Sequence, residues 1–414
     1  MSVNPERYEG SWPSAIIAGA HRTGVVGMRN LARRGVPVSC VDCDGTQPGF
    51  LRRYGEAYLC PNPDEDSAGW LRSMLELSKR FARKPALMPA SDRFLSAIAA
   101  HADALAEGFS IGAAAGLQGQ LSEKESLYSL ASEHGMPIPR TGKVCSEADV
   151  LRFAEEAVFP CLLKPMSARE WEVFPPGHAL YLEKVAVAQD PEQLLSMFRM
   201  VTAVSPVLTI QEVIAGPDTA KLVYLSCYDR SGRRIGYAML RELRCQPKDF
   251  GSGAVCEPCV DDEAERVCDE FLRKAGCRGL CEIELKRDSR NGSLKMIEAN
   301  PRMSVTGDAA IYDGVDLYWL HYLDLAGQDV ELVKPRVRNF RHVVVSRDIV
   351  AMRQAWEKGE LKIGDVTRTY KPPVAFYDIN LHDVRFTLKT CYFALHVVAG
   401  GIFRRFVPKR HGTG

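Results

Sequence analysis

Leu280-Cys-Glu-Ile-Glu-Leu-Lys286 and Leu294-Lys-Met-Ile-Glu-Ala-Asn-Pro-Arg302, separated by a polar turn over 288–292, decide how the chain is read. The Asn291-Gly292 dipeptide in that turn suits a hairpin, so two antiparallel strands are predicted. Side chains two apart on a strand share a face, so Glu282 and Glu284 point one way, and Glu298 and Asn300 point together on the facing strand. The result is a wall of carboxylate and amide oxygens. Oxygen-only donors suit a hard cation such as Mg2+, which takes one or two carboxylates plus substrate phosphates. Arg302, two residues past Asn300, faces the same site with a planar fork that matches phosphate oxygens. The plain alternative is a solvated strand face balanced by Lys286 and Lys295.

The chain has 414 residues, enough for two or three domains with a large core. Its hydrophobic content of 46% and charged content of 25% are those of an ordinary globular protein. A net charge of +1 excludes a general nucleic-acid coat, which needs a strong basic excess. The first eleven residues are polar and lack the apolar core of a signal peptide, so the 13 cysteines are expected as reduced thiols in a cytoplasmic protein. Cys40/Cys43 and Cys256/Cys259 are Cys-x-x-Cys pairs, but they lie too far apart for a zinc ribbon.

From the N-terminus, an apolar run over 14–18, a helix from Val25 to Arg34 and a second strand over 36–41 form a βαβ unit, which implies a parallel sheet. Gly19, Gly24 and Gly27 do not make a clean dinucleotide fingerprint. Ser122 is expected to cap a helix running to His134, with Glu125 three residues on. The apolar strand over 159–165 delivers Lys164 at its end, before the loop Met166–His178, which contains Pro175, Pro176 and Gly177 and can fold over a ligand. The strand at 207–214 breaks at Gly216-Pro217. It offers backbone groups and an apolar wall to a flat heterocycle, with Asp218 placed to accept from a ribose hydroxyl. A hairpin over 222–240, two arginines (Arg241 and Arg244) leading into a glycine-flanked loop, and a helix over 262–275 precede the opening stretch. The uncharged run over 390–403 is shorter than the roughly 20 residues a bilayer needs. It reads either as a last helix docked on the core or, with Arg404, Arg405, Lys409 and Arg410 behind it, as a peripheral membrane contact over 390–410.

Taken together, Lys124, Lys164, the Gln211–Asp218 run, Glu284 and Glu298-Ala-Asn300-Pro-Arg302 resemble the ATP-grasp superfamily in order and spacing. Trp171 in the loop and the Arg244–Gly251 segment draw the likeness toward its D-aspartate ligase-like carboxylate–amine ligases, over roughly residues 12–330. One departure is Glu242, where that group carries a basic residue two places before Arg244. The resemblance implies an α/β and α+β chain: a Rossmann-like, pre-ATP-grasp domain (12–115), a central lobe (116–206), a C-terminal lobe with the Mg2+/ATP site (207–330) and a C-terminal extension (331–414). It implies ATP held by Lys124, Lys164, Gln211, Glu212, Val213, Ile214 and Asp218, and Mg2+ held by Glu284, Glu298 and Asn300. Arg302 and Arg244 would stabilise charge on an acyl phosphate and the tetrahedral intermediate of an ADP-forming ligase. Its partners would be a small-molecule acid and amine, an amino acid or a cell-envelope precursor among them, with no nucleic acid and oligomer formation left open. A silent ATP-binding scaffold and an ATP-grasp enzyme with another nucleophile are the rivals.

Overall fold

The computed structural model describes residues 12–51, 53–112, 115–122, 124–165, 168–175, 178, 180, 185–380 and 384–406. The chain divides into two compact units: residues 1–136, 217–285 and 298–414 form the first, and 137–216 with 286–297 the second.

The first unit opens with β1 (Ala15–Ala18), β2 (Val38–Asp42), β3 (Gly55–Leu59) and β4 (Ala86–Pro89). They form an all-parallel sheet in the order β3-β2-β1-β4, as the βαβ pattern predicts. β1, β2 and β4 are buried along their whole length; β1 and β4 are apolar throughout, while β2 carries the buried Ser39 and Asp42. The helix Arg22–Ala32 packs close to the turn after β1 because Gly24 has no side chain. A Cβ there would lie 1.9 Å from the Gly19 carbonyl oxygen. That packing need accounts for the glycine cluster without a dinucleotide fingerprint.

The second unit carries β5 (Thr141–Val144), β6 (Cys161–Pro165), β7 (Ala186–Ala188) and β8 (Leu208–Glu212), paired antiparallel in the order β5-β8-β6-β7. Its helices are well signalled. Glu147–Ala154 starts with a reciprocal capping box between Ser146 and Asp149, and Pro191–Val201 starts with an Asp190 cap and a proline in the first turn. Val150, Phe153, Leu194 and Phe198 from these helices close a core with Leu163 and Ile210 of the sheet.

The large sheet contains β9 (Lys221–Tyr228), β10 (Arg234–Gln246), β11 (Ser252–Pro258), β12 (Gly279–Arg287), β13 (Leu294–Asn300), β14 (Arg341–Val343) and β15 (Val374–Phe376), in the order β13-β12-β9-β10-β11-β14-β15. The opening stretch is therefore the edge hairpin β12–β13. Its connection is wider than a two-residue turn: Gly292 donates back to the Asp288 carbonyl at 2.7 Å, with φ of +74° at Gly292. The helix Asp262–Lys274 has an Asp261 cap, acids in its first turn and Arg273 and Lys274 in its last, which complements the helix dipole at both ends.

Two expectations change. Ser122 is the last residue of the helix Ala115–Ser122 and not a cap, and the next helix runs Lys124–Glu133. Residues beyond 331 are also more than an appendage: β14 pairs with β11 and β15 with β14, so the C-terminal segment completes the large sheet.

Candidate active site

In the first unit β12 and β13 carry the predicted oxygen donors, held by partners that lie far away in sequence; among the described residues no group of three His, Cys, Asp or Glu side chains is placed to hold a metal ion. Asn300 is buried and sits between two groups: its Nδ2 donates to Glu282 Oε1 at 3.2 Å, and its Oδ1 accepts from Arg302 Nη2 at 3.0 Å. Thr306 donates its hydroxyl to the other oxygen of Glu282. Burial, and then the neighbouring Glu284 carboxylate, raise the Glu282 pKa. Arg302 forks onto Asp92, with Nε at 2.5 Å and Nη2 at 3.0 Å. Burial acts to lower the Arg302 pKa, but Asp92, Glu282 and Glu298 more than offset it. The guanidinium is thus held rigidly beside the wall.

Glu284 meets an ammonium group. Lys221, at the start of β9, places Nζ 3.0 Å from Glu284 Oε2 and 3.1 Å from the Gly251 carbonyl oxygen. Lys221 is buried, which by itself lowers a lysine pKa, yet Glu284, Cys245 and Glu242 reverse this and keep it charged. Glu242 lies in the same buried cluster. Desolvation, with Glu284 and Glu282 adding repulsion against the Lys221 attraction, pushes its pKa up to about 8. A Cβ on Gly253 would stand 2.2 Å from Glu242 Oε2, so glycine is what makes room for this carboxyl. The unusual acid before Arg244 is therefore an interior group.

Asp218 and Arg244 are engaged within the protein. Asp218 accepts from the Cys245 amide at 2.8 Å and the Asp249 amide at 2.9 Å, so it folds the loop after β10 back on itself. Arg244 pairs with the buried Asp348 and donates to Thr369 at 3.0 Å, while Tyr370 donates to Asp348 at 2.7 Å. A bulge in β10 between Glu242 and Arg244 breaks the period of two, which sends these side chains into different surroundings. The open anion-binding arginine expected at 244 is, in the structure, the anchor of the C-terminal segment. Lys124 opens its helix, but its side chain lies outside the described residues.

In the second unit β6 and β8 bring Lys164 and Gln211 together: Lys164 Nζ donates to Gln211 Oε1 at 2.8 Å, and Gln211 Nε2 donates to Thr141 at 2.9 Å. Glu212 accepts from the Val158 amide at 2.8 Å and lies 3.9 Å from Lys295 Nζ. Val213 has both backbone groups in use, its N–H on Pro160 at 2.9 Å and its carbonyl on Arg290 at 3.0 Å. Ile214 is buried, and among the described residues its N–H makes no hydrogen bond. Of the predicted adenine run, Ile214 thus presents the open backbone donor. The loop after β6 is anchored by Trp171, fully buried in the unit's core; residues 166, 167, 176 and 177 lie outside the described residues.

Solved structures share this arrangement of elements. N5-carboxyaminoimidazole synthetase from Staphylococcus aureus, complexed with ADP, aligns with a TM-score of 0.61 over 78% of this chain and 80% of that one, at 14% identity. The L-amino acid ligase from Bacillus licheniformis aligns with a TM-score of 0.56 over 76% and 75%, at 16% identity. The chain has the ATP-grasp fold. No family model matches it. By sequence, the chain is 25% identical over 274 residues to a D-aspartate ligase of Enterococcus faecium, 63% of each chain. It is also 25% identical over 195 residues to the arginine-specific large chain of carbamoyl phosphate synthase of Bacillus subtilis, 44% of this chain and 17% of that one. The matches therefore span less than two thirds of either curated relative.

Reading the sequence missed Lys221, Asp92 and Asp348. Lys221 had a signal, a lone lysine opening an apolar strand, the same feature that singled out Lys164. Asp92 and Asp348 had none, because their partners Arg302 and Arg244 lie 210 and 104 residues away.

Proposed function

We propose that the protein is an ADP-forming carboxylate–amine ligase using ATP and Mg2+. What supports this reading is the hairpin β12–β13, which carries Glu284, Glu298 and Asn300, with Lys221 paired to Glu284 and Arg302 donating to Asn300. The donor set fits the ion: carboxylate and amide oxygens, with no thiol or imidazole, are what a hard cation takes. Glu284, Glu298 and Asn300 would hold Mg2+, which when bound would offset the charge of the polyphosphate. Lys164 would meet the phosphates, and Gln211 would keep its ammonium in place. The Ile214 N–H would meet the base, with Glu212 and Val213 shaping the strand behind it. Asp218 would reach the ribose while holding the loop after β10.

In this reading the acid substrate takes the γ-phosphoryl group and becomes an acyl phosphate, and an amine then attacks the acyl carbon and releases phosphate. Arg302, already oriented by Asp92 and Asn300, supplies positive charge where the oxygens of the acyl phosphate and the tetrahedral intermediate carry negative charge, without reorganising at the moment of reaction. The loop over 166–178 would keep water from the acyl phosphate. The substrates are small acids and amines, with an amino acid or envelope precursor the favoured class.

Purified protein should release ADP only with Mg2+ and an acid substrate, and Glu298→Gln or Lys164→Ala should abolish the release. Full turnover in both variants rules the assignment out. A silent ATP-binding scaffold is the second reading, favoured by one observation: Arg244 is occupied by Asp348. ATP binding with no turnover across a broad panel of acids and amines would select it.

A further inference from the structure

The helix Val384–Phe406 has two different sides. One is docked: Thr390 is fully buried, and Arg353, on the helix Val345–Glu357, donates to the Val397 carbonyl at 3.0 Å. The other side is apolar and open. Leu388 is 62% exposed, Tyr392 72% and Leu395 71%, and Val384 and Val398 are exposed as well. Their spacing of four, four, three and three residues puts them on one stripe of the helix. In the sequence the same spacing continues at Ile402 and Phe406. Single exposed apolar residues need no explanation, but a stripe from Val384 to Val398 does.

The charges say what covers it. From Val384 to the last residue the sequence has no aspartate or glutamate, and its bases are Arg385, Lys389, Arg404, Arg405, Lys409 and Arg410. In the rest of the chain the 52 acids outnumber the remaining bases by five, so the basic excess is confined to this segment. No described helix is long and apolar enough to cross a membrane. An apolar stripe with a purely basic flank is the pattern of a helix lying in the interface of an anionic bilayer, its apolar side among the acyl chains and its bases at the headgroups. A second copy seated on the same stripe would bring like charges together.

We propose that the helix Val384–Phe406 docks the protein onto an anionic lipid surface through Leu388, Tyr392 and Leu395, with Lys389 at the headgroups. Docking and membrane contact are then the two sides of one helix. The inference is independent of the ligase reading, because lipid binding is measured without turnover. The test is sedimentation of the full chain with vesicles of phosphatidylcholine alone, and with about one third phosphatidylglycerol. The protein should pellet with the anionic vesicles only, and raised salt should release it. In Leu388→Ser/Leu395→Ser the bound fraction should drop about tenfold. The melting temperature of this variant should not change, since both side chains are exposed. Wild-type protein that stays in the supernatant with anionic vesicles overturns the proposal, as does a folded double variant that still pellets. A wild-type dimer that the double variant turns into a monomer also overturns it, because a second copy would then cover the stripe.

Discussion

Lys221 decides how the candidate metal face behaves. It lies under Glu284, with Glu242 in the same interior, so removing its charge leaves carboxylates buried without compensation. Lys221→Met is expected to cost about 3 kcal/mol of stability, read from denaturant unfolding. Glu242 gives a separate, pH-dependent expectation. Its folded pKa of about 8 is above its ordinary value of 4.5, so its carboxyl favours folding most when protonated in both states. As pH rises past 4.5 the unfolded chain releases this proton and the folded chain keeps it, so stability falls until the pH reaches about 8. Glu242→Gln removes that loss. The variant should gain in melting temperature over the wild type at pH 8, and the gain should shrink at pH 5. The sequence showed Glu242 as an odd residue, but its meaning depended on burial, which no local pattern reveals.

Among elements, the hairpin β12–β13 was legible because alternation and a turn dipeptide are local signals. So were the helices with caps at Ser146, Asp190 and Asp261. The C-terminal segment was not, because what organises it is long-range. Asp378 is buried, and accepts from the Val345 and Ser346 amides, each at 2.8 Å, at the start of the helix Val345–Glu357. It also faces Arg22 at 3.4 Å, so one carboxylate caps a helix and ties it to the parallel-sheet region. Asp378→Ala is expected to destabilise the protein by about 2 kcal/mol, combining a lost cap with unpaired buried amides. Because that helix carries Asp348, the partner of Arg244, the variant should also loosen the loop after β10, seen as faster amide exchange at Cys245 and Asp249.

For the whole molecule, nucleotide binding should appear as stabilisation. ATP with Mg2+ at a hundredfold over its dissociation constant should add about 2.7 kcal/mol, and omitting the metal should remove most of it. No shift in a thermal melt with any nucleotide would count against the site. The thiols give a second check. Of the 13 cysteines, Cys145 and Cys391 are exposed and Cys43 is half-buried, while the other ten are buried. A native thiol titration should therefore find Cys391 reacting first, with Cys145 slower because its bond to Asp149 raises its pKa and Cys43 slower because burial raises its own. The sequence alone determined the elements, the fold they build and the chemical character of the oxygen wall, since periodicity, caps and donor types are properties of neighbours along the chain. Tertiary structure alone decided that Lys221 sits beneath Glu284, that Asp92 orients Arg302 and that Arg244 serves Asp348. Charges must be paired when they leave water, and which partner they find depends on distances in space that the order of residues does not record.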